Sequence, residues 1–325
     1  MADPYFIGAE LSAFEFPNGP PPVSTTNSYR ADYEWNRYAW NIEDYPTLAK
    51  FDTPASGGVI CAHWSMYGSF GSFLQMKHVL RGASGPGPNG EYFGLEDKDG
   101  DNSSLILTSY MSGSRVEVGS SFAVAASTAY VYDLMWDGTN IKCFVGGSEV
   151  ATAVVDLGAH DISEFYQFVY WNQNYISSVA VAPYSLIGAV VGSIYADGDG
   201  TETDATGSYT DIDENKPDFA DRVTSATATD RQSFSTTVKR PGGSTKAPAA
   251  VAVHGLAQRA GDTTGPTKGR PFVRDASSAA YMGAAVDVGY GVTSVLRCSE
   301  NNPLTAAPWS DGDLADLQIG YEFVA

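Results

Sequence analysis

Residues 130–155 have the sequence YVYDLMWDGTNIKCFVGGSEVATAVV, and this stretch decides the fold. Every second residue from Tyr130 to Trp136 is large and apolar, which places these side chains on one face of a strand. The turn sequence DGTN at 137–140 leads into a second alternating segment, Ile141 to Val145. Two glycines then precede a third segment, Ser148 to Val155. The stretch predicts an antiparallel meander of three strands.

The rest of the chain has the same texture. The 34 glycines and 17 prolines supply frequent turns between short alternating segments, and no long amphipathic helix is present. Ser310, followed by Asp313, has the pattern of a helix N-cap and predicts one short helix before a last strand at 319–324. The other predicted strands are 72–80, 104–110, 115–122, 165–171, 175–182, 189–195, 231–238, 249–258, 269–275, 284–290 and 294–298. The predicted fold class is all-β: two antiparallel β-sandwich, jelly-roll-like domains and one short C-terminal helix.

A change in composition after Pro183 indicates two domains. Tryptophan is absent from there until Trp309, and Ser, Thr, Asp and Gly dominate residues 197–213, which predicts turns. A length of 325 residues also suits two domains of ordinary size. We therefore predict a first sandwich at 1–183, a linker at 184–188 and a second sandwich at 189–325.

The charge excludes nucleic acid as a partner. The chain has 38 acidic and 19 basic residues, a formal charge of -19. Residues 1–185 contain 8 basic and 20 acidic residues, and residues 186–325 contain 11 and 18. Acidic residues thus outnumber basic ones in both parts, whereas phosphate binding needs clustered Lys and Arg.

Neither a membrane partner nor a disulfide framework is expected. The start of the chain lacks the features of a signal peptide, and the longest apolar uncharged run, 186–194, is too short to span a bilayer. We expect a soluble protein made in a cytoplasm. Cys61, Cys143 and Cys298 are too far apart in sequence for a zinc site, so buried thiols are the preferred interpretation.

Motifs of the common enzyme classes are missing. The four histidines have no HExxH spacing, and no GxSxG or phosphate-binding loop occurs. Glycosidases need a pair of suitably placed carboxylates, and the sequence has no ExDxxE run. The chain is therefore predicted to be no enzyme and to have no catalytic residues.

One acidic segment, EDKDGDN at 96–102, offers Asp97, Asp99 and Asp101 at alternate positions, as calcium loops do. Asn102 stands where an EF-hand requires glycine, so a solvated turn is the preferred interpretation and calcium the alternative. The segment DGDGTETD at 197–204 has the same two interpretations. No other cofactor is predicted.

Aromatic and amide side chains are the candidates for carbohydrate binding, because sugars stack on exposed aromatic rings. The candidates are Trp35, Trp40, Trp64, Trp171, Asn172, Asn174 and Tyr175. The alternative is that most of these rings fill the core of the sandwich, as Trp and Tyr in strands usually do.

The first part of the chain resembles concanavalin A-like (laminin G-like) lectin and glucanase sandwiches. The resemblance is carried by the meander, in which an aromatic strand turns through DGT into a VxGxxV strand, and by the apolar strands up to Pro183. It implies a lectin-like sandwich for residues 1–183.

A second resemblance links the C-terminal part to a family of tailed-bacteriophage virion proteins. Residues 302–320, NPLTAAPWSDGDLADLQIG, are similar to its signature NPxTxxxW[ST]xxx[LIV]xx[LIV]xxG. The matching residues are Asn302, Pro303, Thr305, Trp309, Ser310, Leu314, Leu317 and Gly320. We interpret Trp309 as a packing residue beside the short helix.

These resemblances imply a non-enzymatic structural component of a virion. A tail or fibre-associated protein that contacts a host-surface glycan or receptor is the preferred expectation. A capsid decoration (cement) protein and a particle-associated glycan hydrolase are the alternatives. Other virion proteins are the expected partners, and a homo-oligomer, by analogy a trimer, is the expected assembly.

Overall fold

The structure of the chain, a computed structural model, is built almost entirely from antiparallel strands. It describes residues 4–8, 23–24, 39–41, 47–55, 58–68, 75–82, 92–98, 101–111, 114–125, 127–157, 161–170, 174–189, 191, 195–212, 222–236, 248–259, 261, 264–291 and 293–325. The chain divides into two compact units, Pro4–Gly192 and Ser193–Ala325, here named the first and the second unit. Among the residues described, no helix is long and apolar enough to cross a bilayer.

In the residues described, the first unit has fourteen strands. They are β1 (Phe6–Gly8), β2 (Val23–Ser24), β3 (Ala39–Asn41), β4 (Thr47–Ala55), β5 (Ile60–Gly68), β6 (Gln75–Arg81), β7 (Tyr92–Lys98), β8 (Asp101–Met111), β9 (Ser114–Ala123), β10 (Thr128–Trp136), β11 (Asn140–Val145), β12 (Ser148–Val154), β13 (Ile162–Tyr170) and β14 (Asn174–Ala182). The predicted meander is confirmed as β10, β11 and β12, which are neighbours in one sheet. Its register pairs Leu134 with Cys143 and Trp136 with Ile141, so the predicted faces are also correct.

These strands form two antiparallel sheets. The eight-stranded sheet has the order β12-β11-β10-β5-β14-β3-β2, and β1 also pairs with β14. The six-stranded sheet has the order β4-β13-β6-β7-β8-β9. The sheets pack face to face around Trp64 of β5, whose ring lies 5.0 Å from the ring of His78 on β6 and 5.2 Å from that of Phe165 on β13. The first unit is therefore a two-sheet sandwich.

The other side of the eight-stranded sheet is covered by the segment that follows β14. Leu186 and Val191 are buried there against Cys61, Met135 and Phe144. Residues 184–188, predicted to be a linker, thus belong to the packing of the first unit, and the division of the chain lies after 192 instead. The strand predicted at 189–195 is wrong, because none of the residues described there is in a strand.

The described part of the second unit has eight strands and one α-helix. The strands are β15 (Ala196–Thr203), β16 (Arg231–Thr236), β17 (Val251–Ala257), β18 (Lys268–Arg274), β19 (Ala279–Tyr281), β20 (Val286–Asp287), β21 (Thr293–Ser299) and β22 (Gln318–Val324), the helix is α1 (Asp311–Ala315), and a 3-10 turn spans Tyr209–Asp211. One sheet has the order β15-β16-β22-β18-β19 with β20 beside β18, and β17 and β21 form a separate ribbon.

The core of the second unit lies between this sheet, the ribbon and α1. It contains Val253 of the ribbon, Val273 of the sheet, Trp309, and Leu314 and Leu317 at the helix. The predicted helix start is confirmed: the Ser310 side chain accepts from the Asp313 backbone N–H, and the Asp313 carboxylate accepts from the Ser310 backbone N–H at 2.6 Å. The all-β fold class with one short C-terminal helix is thus confirmed.

The acidic segment at 197–204 lies in β15 as far as Thr203, which corrects the turn predicted from its composition. Within β15 exposed and half-buried residues alternate, as on an edge strand. Its carboxylates bond to neighbouring groups: Asp197 accepts from the Ser235 hydroxyl at 3.1 Å, and Asp199 accepts from the Tyr209 backbone N–H at 2.7 Å. These bonds, one to the neighbouring strand β16 and one to the 3-10 turn, stabilise a strand that the propensities of Asp and Gly oppose.

Candidate functional site

The six-stranded sheet presents a charged and aromatic surface on the side away from the core. Because side chains alternate along a strand, the neighbours of Phe165 in β13 point away from Trp64. They are Glu164, Tyr166 and Phe168, and in the register they face Arg81, Val79 and Lys77 of β6. This surface, continued across β7, β8 and β9, is here named the outer face.

An arginine, a carboxylate and a tyrosine form one cluster on the outer face. Arg81 Nε donates to Glu164 Oε1 at 2.5 Å, and the Arg81 guanidinium lies 4.0 Å from the centre of the Tyr166 ring. The side chains of Arg81 and Glu164 are 14% and 4% exposed. Burial raises the pKa of Tyr166 further above neutral pH. The cluster is a rigid support beside the ring of Phe168, which lies 6.4 Å from that of Tyr166.

A second arginine cluster lies on the opposite side of the outer face. Arg115 of β9 donates through Nε to Glu96 Oε2 at 2.5 Å, through Nη1 to Glu117 Oε1 at 3.0 Å and through Nη2 to the carbonyl oxygen of Asp97 at 3.4 Å. The Glu96 side chain, on β7 near the middle of the sheet, is only 2% exposed. A buried carboxylate is stable only when it is paired, and Arg115 supplies that pair.

Trp64 is the clearest correction to the predicted carbohydrate site. Its side chain is 0% exposed and stacks on Tyr132 at 5.4 Å as well as on the rings of the opposite sheet. A ring in this position cannot meet a ligand from solvent. Trp64 therefore has the packing role that was the alternative interpretation.

The other predicted carbohydrate residues are scattered over β3, β14 and undescribed parts of the chain. Trp40 is in β3 opposite Ile176, and Asn174 and Tyr175 begin β14. Tyr175 is half-buried, with its ring 6.4 Å from that of Tyr67. Trp35, Trp171 and Asn172 lie outside the described residues. The described residues Trp40, Asn174 and Tyr175 therefore belong to the eight-stranded sheet and not to the six-stranded one.

The predicted calcium residues lie at the hairpin between β7 and β8. Asp97 belongs to β7, is 9% exposed and accepts from the Met76 backbone N–H at 2.9 Å. Asp101 begins β8 opposite Lys98, and Asp99 lies outside the described residues. Within the part of the chain that the structure describes, no three His, Cys, Asp or Glu side chains are grouped to hold a metal ion.

The residues of the phage-like signature have structural positions in the second unit. Trp309 is 2% exposed and its Nε1 donates to the carbonyl oxygen of Ser299 at 3.0 Å. Asn302 is also 2% exposed, and its Oδ1 accepts from the Leu304 backbone N–H at 2.9 Å. Gly320 leaves room for the ring of Phe272 on the next strand. Of the remaining residues, Leu314 and Leu317 are in the core, Ser310 caps α1, Pro303 is half-buried and Thr305 is exposed.

A cleft of about 260 Å³ adjoins the signature. Asp275, Asn302, Thr305, Asp313 and Asp316 are among its lining residues. The Asp275 carboxylate accepts from the Ser277 and Ser278 backbone N–H groups, and these bonds hold the pKa of Asp275 low. Asp313 is likewise occupied by the helix cap. In this cleft the carboxylates of Asp275 and Asp313 therefore have local structural roles.

A buried histidine and aspartate pair lies in the eight-stranded sheet. His63 Nδ1 and Asp133 Oδ1 are 2.8 Å apart, and both side chains are 0% exposed. The pair is enclosed, so it is unavailable to a ligand from solvent. It therefore offers no catalytic constellation at the surface.

The outer face was missed at the sequence level, although β13 carries a usable signal. In 164–169, EFYQFV, one face of the strand carries Glu164, Tyr166 and Phe168. The other face carries the core residues Phe165, Gln167 and Val169. Both faces are mostly aromatic or polar, so periodicity alone does not tell which of them packs in the core.

No protein-family model matches the chain, and no curated protein matches it. Solved structures similar to it include the Bacillus licheniformis β-glucanase, with 11% identity over 55% of this chain and 96% of that one and a TM-score of 0.38. LamAcat of Zobellia galactanivorans has 10% identity over 55% of this chain and 97% of its own, with a TM-score of 0.39. Sheep galectin-11 has 12% identity over 40% and 98%, with a TM-score of 0.31. At such low identities and TM-scores, neither a substrate nor an activity is transferred to this chain.

Proposed function

We propose that the chain is a non-enzymatic structural component of a tailed-phage virion, associated with the tail or a fibre, whose first unit contacts a saccharide through the outer face. The observation that carries the saccharide contact is the aromatic pair of Tyr166 and Phe168, flanked by the charged groups of Arg81 and Lys77. Half-buried rings next to fixed polar groups suit sugars, whose faces are apolar and whose edges are hydroxyls.

The virion assignment is supported by the sequence resemblance at 302–320. The structural positions of Asn302, Trp309 and Gly320 agree with a scaffold role for that signature, because each packs or bonds within the second unit. A particle protein needs such rigid units more than it needs a catalytic cleft.

The arrangement of carboxylates opposes the hydrolase alternative. Glu96 and Glu164 are both on the outer face, where a glycosidase would place its acid and its nucleophile. Each accepts from an arginine at 2.5 Å, and their side chains are 2% and 4% exposed. A carboxylate held in this way does not reach the glycosidic bond of a saccharide resting on the face.

Binding of the full chain to an array of bacterial surface saccharides tests the contact. We expect Phe168→Ala to weaken binding about fivefold to tenfold, since one stacking ring is lost. Tyr290→Ala is the matched control, because Tyr290 is 56% exposed and belongs to the second unit. Loss of binding in the control variant alone, or binding of no saccharide by the unmodified chain, would overturn the contact.

Two further measurements test the remaining parts of the proposal. Immunogold labelling of purified particles with an antibody to this chain should mark the tail, whereas labelled capsids would support a decoration protein and unlabelled particles would contradict a virion role.

Incubation of the chain with host capsule or lipopolysaccharide should release no oligosaccharide. Defined cleavage products would restore the hydrolase alternative.

A further inference from the structure

Basic residues of the first part of the chain are concentrated on the outer face. In the regular strand pairing between the β-bulges, four basic residues lie on the outer face, namely Lys50, Lys77, Arg81 and Arg115. Residues 1–185 contain only eight basic residues, so half of them lie on one side of one sheet. The same register assigns three of the 20 acidic residues to the outer face, namely Glu96, Glu117 and Glu164. Four minus three gives +1 for the outer face, whereas the six basic and eleven acidic residues described between 4 and 185 give six minus eleven, or -5.

Lys77 differs from the two arginines in that its ammonium group forms no ion pair with the residues that the structure describes. Arg81 and Arg115 are bonded to Glu164 and to Glu96, as described above. Lys77 is half-buried, and among the described residues its side chain forms neither an ion pair nor a hydrogen bond. In the register it stands between Phe168 and Glu96. Glu96, which is opposite Lys77 in the register, is paired with Arg115.

We propose that the saccharide bound at the outer face is acidic and that Lys77 binds one of its carboxylates while the adjoining sugar ring packs on Phe168. This inference rests on the proposed saccharide contact and adds the chemical class of the ligand. Residues directly opposite on neighbouring antiparallel strands have Cβ atoms about 5 Å apart. A sugar ring with a carboxylate on its edge spans that distance, so the ring and the charge are recognised together.

The net charge of the chain selects among acidic saccharides. A charge of -19 repels a polymer that carries dense sulfate or phosphate groups along its whole length. A uronic-acid saccharide with one carboxylate per disaccharide places a charge at Lys77 and neutral sugar elsewhere. The ligand class is therefore a sparsely carboxylated saccharide.

The test uses pairs of oligosaccharides that differ only in charge. Oligosaccharides from hyaluronate and unsulfated chondroitin, which carry one carboxylate per disaccharide, are compared with the same oligosaccharides after reduction of their carboxylates to alcohols. We expect the full chain to bind a carboxylated member about threefold to fivefold more tightly than its reduced counterpart at low salt, which is the size of a partly exposed ion pair. The preference should shrink as salt is added.

Variants separate the charge from the stacking. Lys77→Gln should abolish the preference for the carboxylated member, and Lys77→Arg should retain the preference. Lys142→Gln is the matched control, because Lys142 lies in the eight-stranded sheet and pairs with Asp137 at 2.7 Å. Equal binding of charged and reduced members, or loss of the preference in Lys142→Gln, overturns the acidic ligand and leaves the saccharide contact standing. Failure to bind either member of any pair, together with an array without a bound saccharide, overturns both.

Discussion

At the scale of single residues, His78 shows how burial determines a chemical property. The imidazole lies between Trp64 and Phe165 in the core of the first unit, with Gln167 Nε2 3.2 Å from its Nδ1. Burial lowers the pKa of His78 to about 3. The ring is therefore neutral in the folded chain over most of the pH range in which a free histidine is charged.

We expect the first unit to lose stability as the pH falls from 6.5 towards 3. In this window the unfolded chain binds a proton at His78 and the folded chain does not, so the free energy of unfolding decreases by about 1.4 kcal/mol per pH unit from this residue. His78→Leu should reduce that slope, and His254→Leu in the second unit should not. Urea unfolding followed by tryptophan fluorescence at several pH values measures the slope, because five of the six tryptophans precede residue 172. Equal slopes in the His78→Leu and unmodified chains would contradict the assignment.

Two thiols follow the same rule. Cys61 and Cys143 are both 0% exposed, and burial raises the pKa of each, that of Cys61 to about 12. The sequence already favoured buried thiols, since three cysteines without paired spacing form neither a zinc site nor a disulfide framework. The side chain of Cys298 is only half-buried.

At the scale of elements, the meander and the helix start could be predicted, whereas β15 could not. The segment from Tyr130 to Trp136 alternates strongly and ends in a turn sequence, so local and tertiary preferences agree there. In β15 the local composition favours a turn, and the bonds that make it a strand come from Ser233, Ser235 and Gln318. These partners lie far away in sequence, and periodicity in a short window does not include them.

The same limit applies to the outer face. The strands β13 and β6 adjoin only after folding, so the neighbours Phe168 and Lys77 are 91 residues apart in sequence. The carbohydrate site predicted from the sequence was instead chosen by residue type, and most of its rings are tryptophans. One of these tryptophans, Trp64, is a core residue.

A substitution at Gly320, where β22 packs against β18, tests the packing of the phage-like signature. A Cβ atom at position 320 would overlap the ring of Phe272 and approach the carbonyl oxygen of Gln232 at 2.7 Å. We expect Gly320→Ala to destabilise the second unit by about 1–3 kcal/mol, as overpacking of a core does. Gly291→Ala is the control, because nothing lies within 4 Å of a Cβ atom there. Thermal unfolding that is unchanged in Gly320→Ala would contradict the contact.

At the scale of the whole molecule, the net charge governs assembly. Copies of a chain with a charge of -19 repel each other over about 8 Å at physiological salt, so contacts must come from sheet edges, apolar patches or bound cations. We expect a discrete homo-oligomer, by analogy a trimer, whose formation is strengthened by salt or divalent cations. Light scattering across salt and calcium concentrations measures this. A monomer under all conditions, or an oligomer that salt dissociates, would contradict the expectation.

The segment after β14 has a practical consequence for cutting the gene. A clone ending at Pro183, where the composition changes, would encode a first unit without Leu186 and Val191 and would uncover Met135 and Phe144. Such a product should collect in inclusion bodies, because an uncovered apolar patch promotes aggregation. A stop codon after residue 192 retains the covering segment, so the shorter polypeptide should stay in the supernatant after lysis.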